Sequence, residues 1–146
     1  MTRSKKLQPV VQHVDNNEQD ALKAVAFSQQ QLQYQLNRLQ QLNDYKNEYS
    51  NQYLSANSVS RTALQLQEYN RFFAQLTDTI ERQNQVVKLA QREVDIKRQK
   101  WKLTRSRSDA MHKVVDRIQA TELEQAEKIE QKFMDEMALR NSIKNM

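Results

Sequence analysis

The stretch "YNRFFAQLTDTIERQNQVVKLAQREVDIKRQKWKLTRSRSDAMHKVVDRI", residues 69–118, decides the fold, because its apolar side chains recur in steps of three and four. Eleven of the fifteen positions selected by these steps are apolar, and neither Gly nor Pro interrupts them. A repeat sustained over about seven heptads is typical of a long coiled-coil helix. The fifteen positions are Tyr69, Phe73, Leu76, Ile80, Gln83, Val87, Ala90, Val94, Lys97, Trp101, Thr104, Ser108, Met111, Val115 and Ile118.

The composition of the whole chain also favours helices. The 146 residues include no Gly and one Pro, Pro9, and 38% are hydrophobic. Tight turns with positive φ usually require Gly, so strand-rich folds are nearly excluded. The low mean hydropathy of -0.96 suits helices whose only core is a shared seam. Disorder is the alternative for so polar a chain, and the sustained periodicity argues against it.

A weaker stripe of the same period occupies the first half of the chain. Its members are Leu22, Val25, Gln29, Leu32, Leu36, Leu39, Leu42, Tyr45, Tyr49 and Tyr53. Between the stripes, "SANSVSRTA" (55–63) is rich in residues that favour turns and caps, with Ser58 or Ser60 as candidate helix caps. The sequence therefore predicts an all-α fold, a long antiparallel two-helix coiled coil. It forms one domain over 1–146, with helices at about 10–54 and 64–142.

A turn centred near 58–59 would place residue i opposite residue 118 minus i. The predicted facing pairs are Tyr49 with Tyr69, Tyr45 with Phe73, and Leu42 with Leu76. The tyrosines of "LNDYKNEYSNQYL" (42–54) and the rings of "YNRFFAQL" (69–76) would then form one patch. That patch is either core or a contact surface. Phe72, one step off the seam, is either packed under Tyr45 or a binding anchor.

The same register predicts an overhang at the C-terminal end of the second helix. A first helix that begins near Pro9 pairs only to about residue 109. Apolar residues nevertheless continue at helical spacing, with a phase slip near 119–125: Met111, Val115, Ile118, Ala126, Ile129, Phe133 and Met137. Because an apolar stripe of this length is rarely left in water, we expect it to self-associate or to insert into a partner.

Catalytic and metal-binding chemistry has little support in this sequence. There is no Cys, and the two histidines, His13 and His112, have no second ligand at metal-binding spacing. Without Gly there is no Gly-rich phosphate loop. We therefore expect no enzyme activity, no metal and no cofactor.

The net charge of +5 permits binding to an anionic partner. The segment "KRQKWKLTRSR" (97–107) carries six basic residues and no acid, with Trp101 on the seam. This run is either a solvated face, a surface for an acidic protein, or a nucleic-acid site, which is the least favoured. Since no apolar run approaches the roughly 20 residues of a membrane span and no signal-peptide core is present, a cytoplasmic location is expected.

Several of these segments together resemble the FliJ family, small cytoplasmic components of the bacterial flagellar type III export apparatus. They are "LNDYKNEYSNQYL" (42–54), "LQEYNRFFAQLTDTIERQ" (66–83), the Trp near residue 100 and "EQKFMDEMALR" (130–140), in the family's order. The resemblance implies an antiparallel coiled coil similar to the central stalk of rotary ATPases. It also implies a location at the inner membrane at the flagellar base, with peripheral attachment.

The resemblance further implies three partners: the hexameric export ATPase, the cytoplasmic linker of the export gate membrane protein, and empty export chaperones. The implied gate-binding residues are Leu42, Tyr45, Tyr49, Phe72 and Leu76. Arg38, Thr79 and Gln83 differ in type from the family, and Tyr53 is not included. The candidate ATPase-binding residues are Met111, Val115, Ile118, Ile129, Phe133 and Met137.

The implied function is a rod that couples the ATPase ring to the gate without hydrolysing ATP itself. Two alternatives remain at this stage. One is a stalk protein of a virulence-type III secretion system, which genomic neighbourhood would distinguish. The other is a generic basic coiled coil that binds nucleic acid, which would show salt-dependent binding through residues 97–107.

Overall fold

The computed structural model describes residues 2–55 and 62–145, and within these ranges all regular structure is helical. Helix α1 spans Arg3–Lys6, α2 spans Gln8–Ser55 and α3 spans Ala63–Lys144. Helices α2 and α3 pack against each other, which confirms the predicted all-α helical hairpin. Most of the predicted turn, with the candidate caps Ser58 and Ser60, lies outside the described residues.

Helix α3 begins with a capping box. The backbone N–H of Gln65 donates to Thr62 Oγ1 at 3.2 Å, and the N–H of Thr62 donates back to Gln65 Oε1 at 3.1 Å. Two backbone donors that have no partner within the helix are thereby satisfied. Thr62 thus caps α3, whereas the sequence prediction named Ser58 and Ser60 as the candidate caps.

The break between α1 and α2 falls at Leu7, two residues before the single proline. Pro9 has no N–H and so cannot donate to the carbonyl of Lys5, four residues earlier. The helical course resumes through the bond from the Val11 N–H to the Leu7 carbonyl at 2.9 Å. Thr2 caps α1 through its side chain, which accepts from the N–H of Lys5.

The chain packs into two compact units. The first unit is Ala21–Trp101, and the second consists of the described residues up to Asp20 and from Lys102 onward. In the first unit Gln83 Nε2 donates to both the backbone carbonyl and the side-chain oxygen of Gln35, at 2.9 and 2.8 Å. The residue numbers of this pair total 118, as predicted for the register. The buried apolar residues of this unit are Ala21, Val25, Leu76, Ile80, Val87 and Val94.

The predicted seam of α2 was wrong by one residue at several positions. Leu22 and Leu36 are exposed, whereas the preceding residues, Ala21 and Gln35, are buried or half-buried. Ser28 is likewise buried where Gln29 was predicted. The small side chains of Ala21 and Ser28 let α2 lie close to α3, and the hydroxyl of Ser28 bonds to the Val25 carbonyl. Small side chains, and not only the large hydrophobic ones, therefore occupy the seam here.

In the second unit the N-terminal residues cover more of α3 than predicted. Ser4 bonds to Glu122, and Asp15 bonds to Ser108, so the pairing extends to residue 122 instead of ending near 109. Part of the extension arises because the chain is already helical from Arg3, ahead of Pro9. The rest reflects a different register, since the residue numbers of these bonded pairs total 126 and 123 instead of the predicted 118. The expectation of an unpaired stripe is therefore wrong over its first part: Val115 is buried, and Met111 and Ile118 are half-buried.

Beyond Glu122 the helix continues to Lys144, and every described residue from 123 to 145 is exposed. This part of α3 contains large apolar side chains on several faces: Leu123, Ile129, Phe133, Met134, Met137, Leu139 and Ile143. The overhang is thus real but begins at residue 123. The proposed phase slip at 119–125 stays a prediction.

Candidate partner-binding surfaces

The aromatic side chains of the first unit form one cluster, which we call the aromatic patch: Tyr45, Tyr49, Tyr53, Tyr69, Phe72 and Phe73. Tyr49 stacks on Tyr69 with ring centroids 5.2 Å apart, which confirms their predicted pairing. Tyr69 also stacks on Tyr53 at 3.6 Å and lies 5.8 Å from Phe73. Such ring contacts add to the energy of area burial, so the patch holds the two helices together at this level.

The predicted pairing of Tyr45 with Phe73 was wrong. Tyr45 instead makes an edge contact with Phe72 at 6.2 Å, and the Lys46 ammonium lies 5.0 Å from the centre of the Phe73 ring. Lys46 takes the seam position because its long stem can lie along the apolar groove while its charge faces the ring. Tyr45 is consequently turned to one side and is 48% exposed.

Phe72 lies half-buried between Tyr45 and Tyr49, with its ring centroid 4.6 Å from that of Tyr49. Leu42 is also half-buried, and Leu76 is buried in the core. The five predicted gate-binding residues therefore divide by exposure. Tyr45 is the exposed member of the five. The side chains of Leu42, Tyr49 and Phe72 are half-buried, and that of Leu76 is buried and contributes to the packing of the core.

Asp15 and Glu122 each make polar contacts within the second unit, and neither set of contacts was predicted. Asp15 Oδ1 accepts from Ser108 Oγ at 2.7 Å and is 2.8 Å from His112 Nε2. These bonds, the serine's first and then the histidine's, lower the pKa of the Asp15 carboxyl below its ordinary value. A polar residue at the Ser108 seam position was the available signal, although the predicted register would have placed Val10 and not Asp15 opposite it.

This Ser, His and Asp arrangement differs from that of a catalytic triad. In a triad the imidazole lies between the serine and the carboxylate. Here the carboxylate of Asp15 lies between the other two side chains. The contacts join α2 to α3 and do not activate the Ser108 hydroxyl as a nucleophile.

The second polar contact ties the N-terminus to α3. The Ser4 hydroxyl donates to one oxygen of Glu122 at 2.7 Å, and the Ser4 N–H donates to the other at 3.0 Å. The hydroxyl bond is the main cause of the lowered pKa of Glu122, and the backbone bond adds to it. An acid thus continues the seam at residue 122, where the apolar pattern suggested an interruption.

The exposed end of α3 carries three of the six candidate ATPase-binding residues: Ile129, Phe133 and Met137. We call these residues the C-terminal stripe. They follow one another in steps of four, and Ile129 is 71% exposed. The other three candidates, Met111, Val115 and Ile118, pack in the second unit and present little surface. Of the six predicted ATPase-binding residues, only those of the C-terminal stripe are therefore exposed enough to serve as a docking surface. Their role in binding the ATPase stays a prediction.

Within residues 2–55 and 62–145, no cluster of three or more His, Cys, Asp or Glu side chains could hold a metal ion. Among the same residues, no helix has a stretch both long and apolar enough to cross a bilayer.

Comparison with known families gives a match that covers essentially the whole chain. The family model described as "Flagellar FliJ protein" matches residues 3–146. The chain belongs to the FliJ family. This FliJ-family member is therefore a component of flagellar type III protein export. Neither the comparison with curated proteins nor the comparison with solved structures found a match.

Proposed function

We propose that this FliJ-family protein is a non-enzymatic coupling element that contacts the export gate through the aromatic patch and the export ATPase ring through the C-terminal stripe. It belongs at the cytoplasmic side of the inner membrane, at the flagellar base, and it also receives empty export chaperones. The observation that carries the proposal is the exposure of large apolar side chains on α3 beyond Glu122.

The C-terminal stripe has the properties of a docking surface. Its residues present apolar area to water, which soluble proteins seldom leave uncovered unless a partner binds there. Glu124, Glu127 and Glu130 provide charges around it, and Lys128 pairs with Glu124 at 3.4 Å. A helical segment of this kind binds by laying its apolar side chains into a partner's groove or ring.

The aromatic patch supports gate binding for a different reason. Interfaces draw much of their energy from a few Tyr, Trp and Arg side chains held rigidly by their neighbours. Tyr45 is exposed, yet its ring is fixed against Phe72, and Phe72 is fixed against Tyr49. The patch thus offers an ordered aromatic surface, and one of its residues, Phe72, belongs to α3, the helix that also carries the C-terminal stripe.

The test uses two double variants with separate readouts. Tyr45→Ala/Phe72→Ala should lose binding to the cytoplasmic domain of the gate by about tenfold or more, while still stimulating the ATPase. Ile129→Ser/Phe133→Ser should lose stimulation of the ATPase while still binding the cytoplasmic domain of the gate. Gate binding is measured by titration calorimetry, and ATPase stimulation by phosphate release.

Matched controls come from exposed leucines elsewhere. Leu64→Ala in the first unit and Leu103→Ser in the second remove apolar surface outside both sites and should change neither readout. Helicity of each variant is checked by circular dichroism. If both double variants weaken both activities equally, or if the wild type does not stimulate the ATPase, the proposed division of surfaces is wrong.

A further inference from the structure

The exposed end of α3 continues the side of the helix that packs against the N-terminal residues. Asp15 covers that side at Ser108, and Ser4 covers it at Glu122. At about 100° per residue, the three residues of the C-terminal stripe lie within about 60° of both positions around the helix. Ala126 fills the step between Glu122 and the stripe and is exposed. The C-terminal stripe is thus the seam of the second unit, continued beyond the last residue that covers it.

The opposite side of this helical end is polar, and its side chains pair within the helix. Lys128 pairs with Glu124 at 3.4 Å, and Gln131 Nε2 donates to Asp135 Oδ1 at 3.2 Å. All four residues lie at least about 140° around the helix from Phe133. Contacts between residues four apart are typical of a solvent face. The end of α3 is therefore amphipathic, and further large apolar side chains flank the stripe: Leu123, Met134, Leu139 and Ile143.

The charges of this segment change sign along its length. Beyond Glu122 the acids are Glu124, Glu127, Glu130, Asp135 and Glu136, with Lys128 and Lys132 among them, and Arg140 and Lys144 follow. Two copies packed in parallel would place each charge beside its own counterpart, which is destabilising. In an antiparallel pair the basic end of each copy lies beside the acidic part of the other. The segment is therefore complementary in charge to a second copy of itself.

We propose that the C-terminal stripe packs against the C-terminal stripe of a second copy of this chain, in antiparallel orientation. In a two-fold pair centred on Phe133, this residue faces its own counterpart and Ile129 faces Met137. Lys132 and Glu136 lie on the same edge of the stripe, and the two-fold pairing places each of them beside the other in the second copy. The helix of the second copy then covers the seam of α3 beyond the point where the N-terminal residues end.

The proposed pair is short, since only about three heptads separate Glu122 from the end of α3 at Lys144. We therefore expect a weak dimer that exchanges with the monomer. Because the same stripe is proposed to dock to the export ATPase, the pair would withhold that surface until the ATPase displaces the second copy. This regulatory consequence rests on the proposed function, whereas the pairing itself does not.

Sedimentation velocity of the full-length protein over a range of concentrations tests the pairing. The wild type should pass from monomer to dimer as concentration rises, and Ile129→Ser/Phe133→Ser should stay monomeric. Glu136→Lys should weaken dimerisation by about tenfold or more, because it places like charges together, and Lys132→Glu/Glu136→Lys should restore it. A wild type that remains a monomer at every concentration, or a charge swap that restores nothing, would overturn the proposal.

Asp135→Lys is the matched control, because it makes the same change of charge at the adjacent residue, on the polar side of the helix. It should dimerise as the wild type does. If Asp135→Lys weakened dimerisation as much as Glu136→Lys, net charge and not the edge of the stripe would govern the association, and the proposed register would be wrong.

Single cysteines report the orientation, because the chain contains no Cys. On mild oxidation, Ile129→Cys mixed with Met137→Cys should form a disulfide-linked dimer, whereas each variant alone should not. Residues eight positions apart are separated by about 12 Å along a helix, which is too far for a disulfide. Crosslinking of each variant with itself would indicate a parallel pair and contradict the proposal.

Energy transfer between labelled copies separates this proposal from the proposed function. Asp135→Cys carries a dye on the polar side near the centre of the pair, so donor- and acceptor-labelled copies should show transfer. The export ATPase should abolish the transfer, and the cytoplasmic domain of the gate should leave it unchanged. No transfer in the free protein would refute the pairing, whether or not the ATPase is stimulated. Transfer that persists while the ATPase is stimulated would contradict the regulatory consequence and the proposed docking, with the pairing intact.

Discussion

In the second unit, Asp15 and Glu122 each link two helices through the hydrogen bonds of a single carboxylate. Each carboxylate accepts two hydrogen bonds from the opposite helix, and each has a lowered pKa as a result. The bonds link α3 to the start of the chain at residues 4 and 15. They also explain why the apolar pattern weakens there, since polar pairs replace apolar ones.

These contacts predict a dependence of stability on pH. A carboxyl with a lowered folded pKa stabilises the fold above its unfolded pKa, and that contribution is lost as pH falls through the folded value. The thermal midpoint of the wild type should therefore fall as the pH drops below about 4. In Asp15→Asn/Glu122→Gln this part of the pH dependence should be reduced.

The measurement is a series of melts followed by circular dichroism from neutral to acidic pH. Asp95→Asn, at an exposed position of the first unit, serves as the control and should retain the wild-type profile. A double variant whose pH profile matched the wild type throughout would show that these bonds do not stabilise the fold.

At the scale of single elements, the beginning of α3 depends on Thr62. Its side chain and that of Gln65 satisfy one backbone donor each. We expect Thr62→Ala to destabilise the helix start by about 1 kcal/mol, because one of those donors loses its partner. Hydrogen exchange should become faster in the first turn of α3, at residues 63–66, and stay unchanged further along the helix.

Thr77→Ala is the matched control, since Thr77 is exposed inside α3 and its hydroxyl bonds only to the Phe73 carbonyl. This variant should leave exchange at residues 63–66 as in the wild type. Equal protection of the first turn in Thr62→Ala would mean that the capping box contributes little.

The helices were predictable from periodicity, and the register of the first unit was predictable because turn-favouring residues between the two stripes set which residues face each other. The facing of Tyr49 with Tyr69 follows directly from a turn near 58–59. The seam of α2 was harder to predict because two adjacent rows of residues both have steps of three and four. Ser28 and Lys46 line the true seam without any hydrophobic signal, and Ala21 gives a weaker one than its neighbour Leu22.

The candidate sites were predictable only in outline. The sequence identified the C-terminal stripe, yet it did not predict the contact of Ser4 with Glu122, which spans 118 positions of the chain. A hydrogen bond over that separation leaves no local pattern.

At the scale of the whole molecule, one chain is proposed to bind two partners. Membership of the FliJ family makes the protein a component of flagellar export, and α3 carries residues of both proposed surfaces. A coupling element must bind both partners at the same time. If binding of the gate excluded binding of the ATPase, the protein would act on each partner separately and could not couple them.

The most direct measurement is therefore a bridging experiment with the gate's cytoplasmic domain immobilised on a biosensor surface. The export ATPase is passed over it with and without the full-length protein. We predict that the ATPase is retained only when the wild-type protein is present, and that Tyr45→Ala/Phe72→Ala and Ile129→Ser/Phe133→Ser each abolish retention. Competition between the gate domain and the ATPase for the protein would contradict the account.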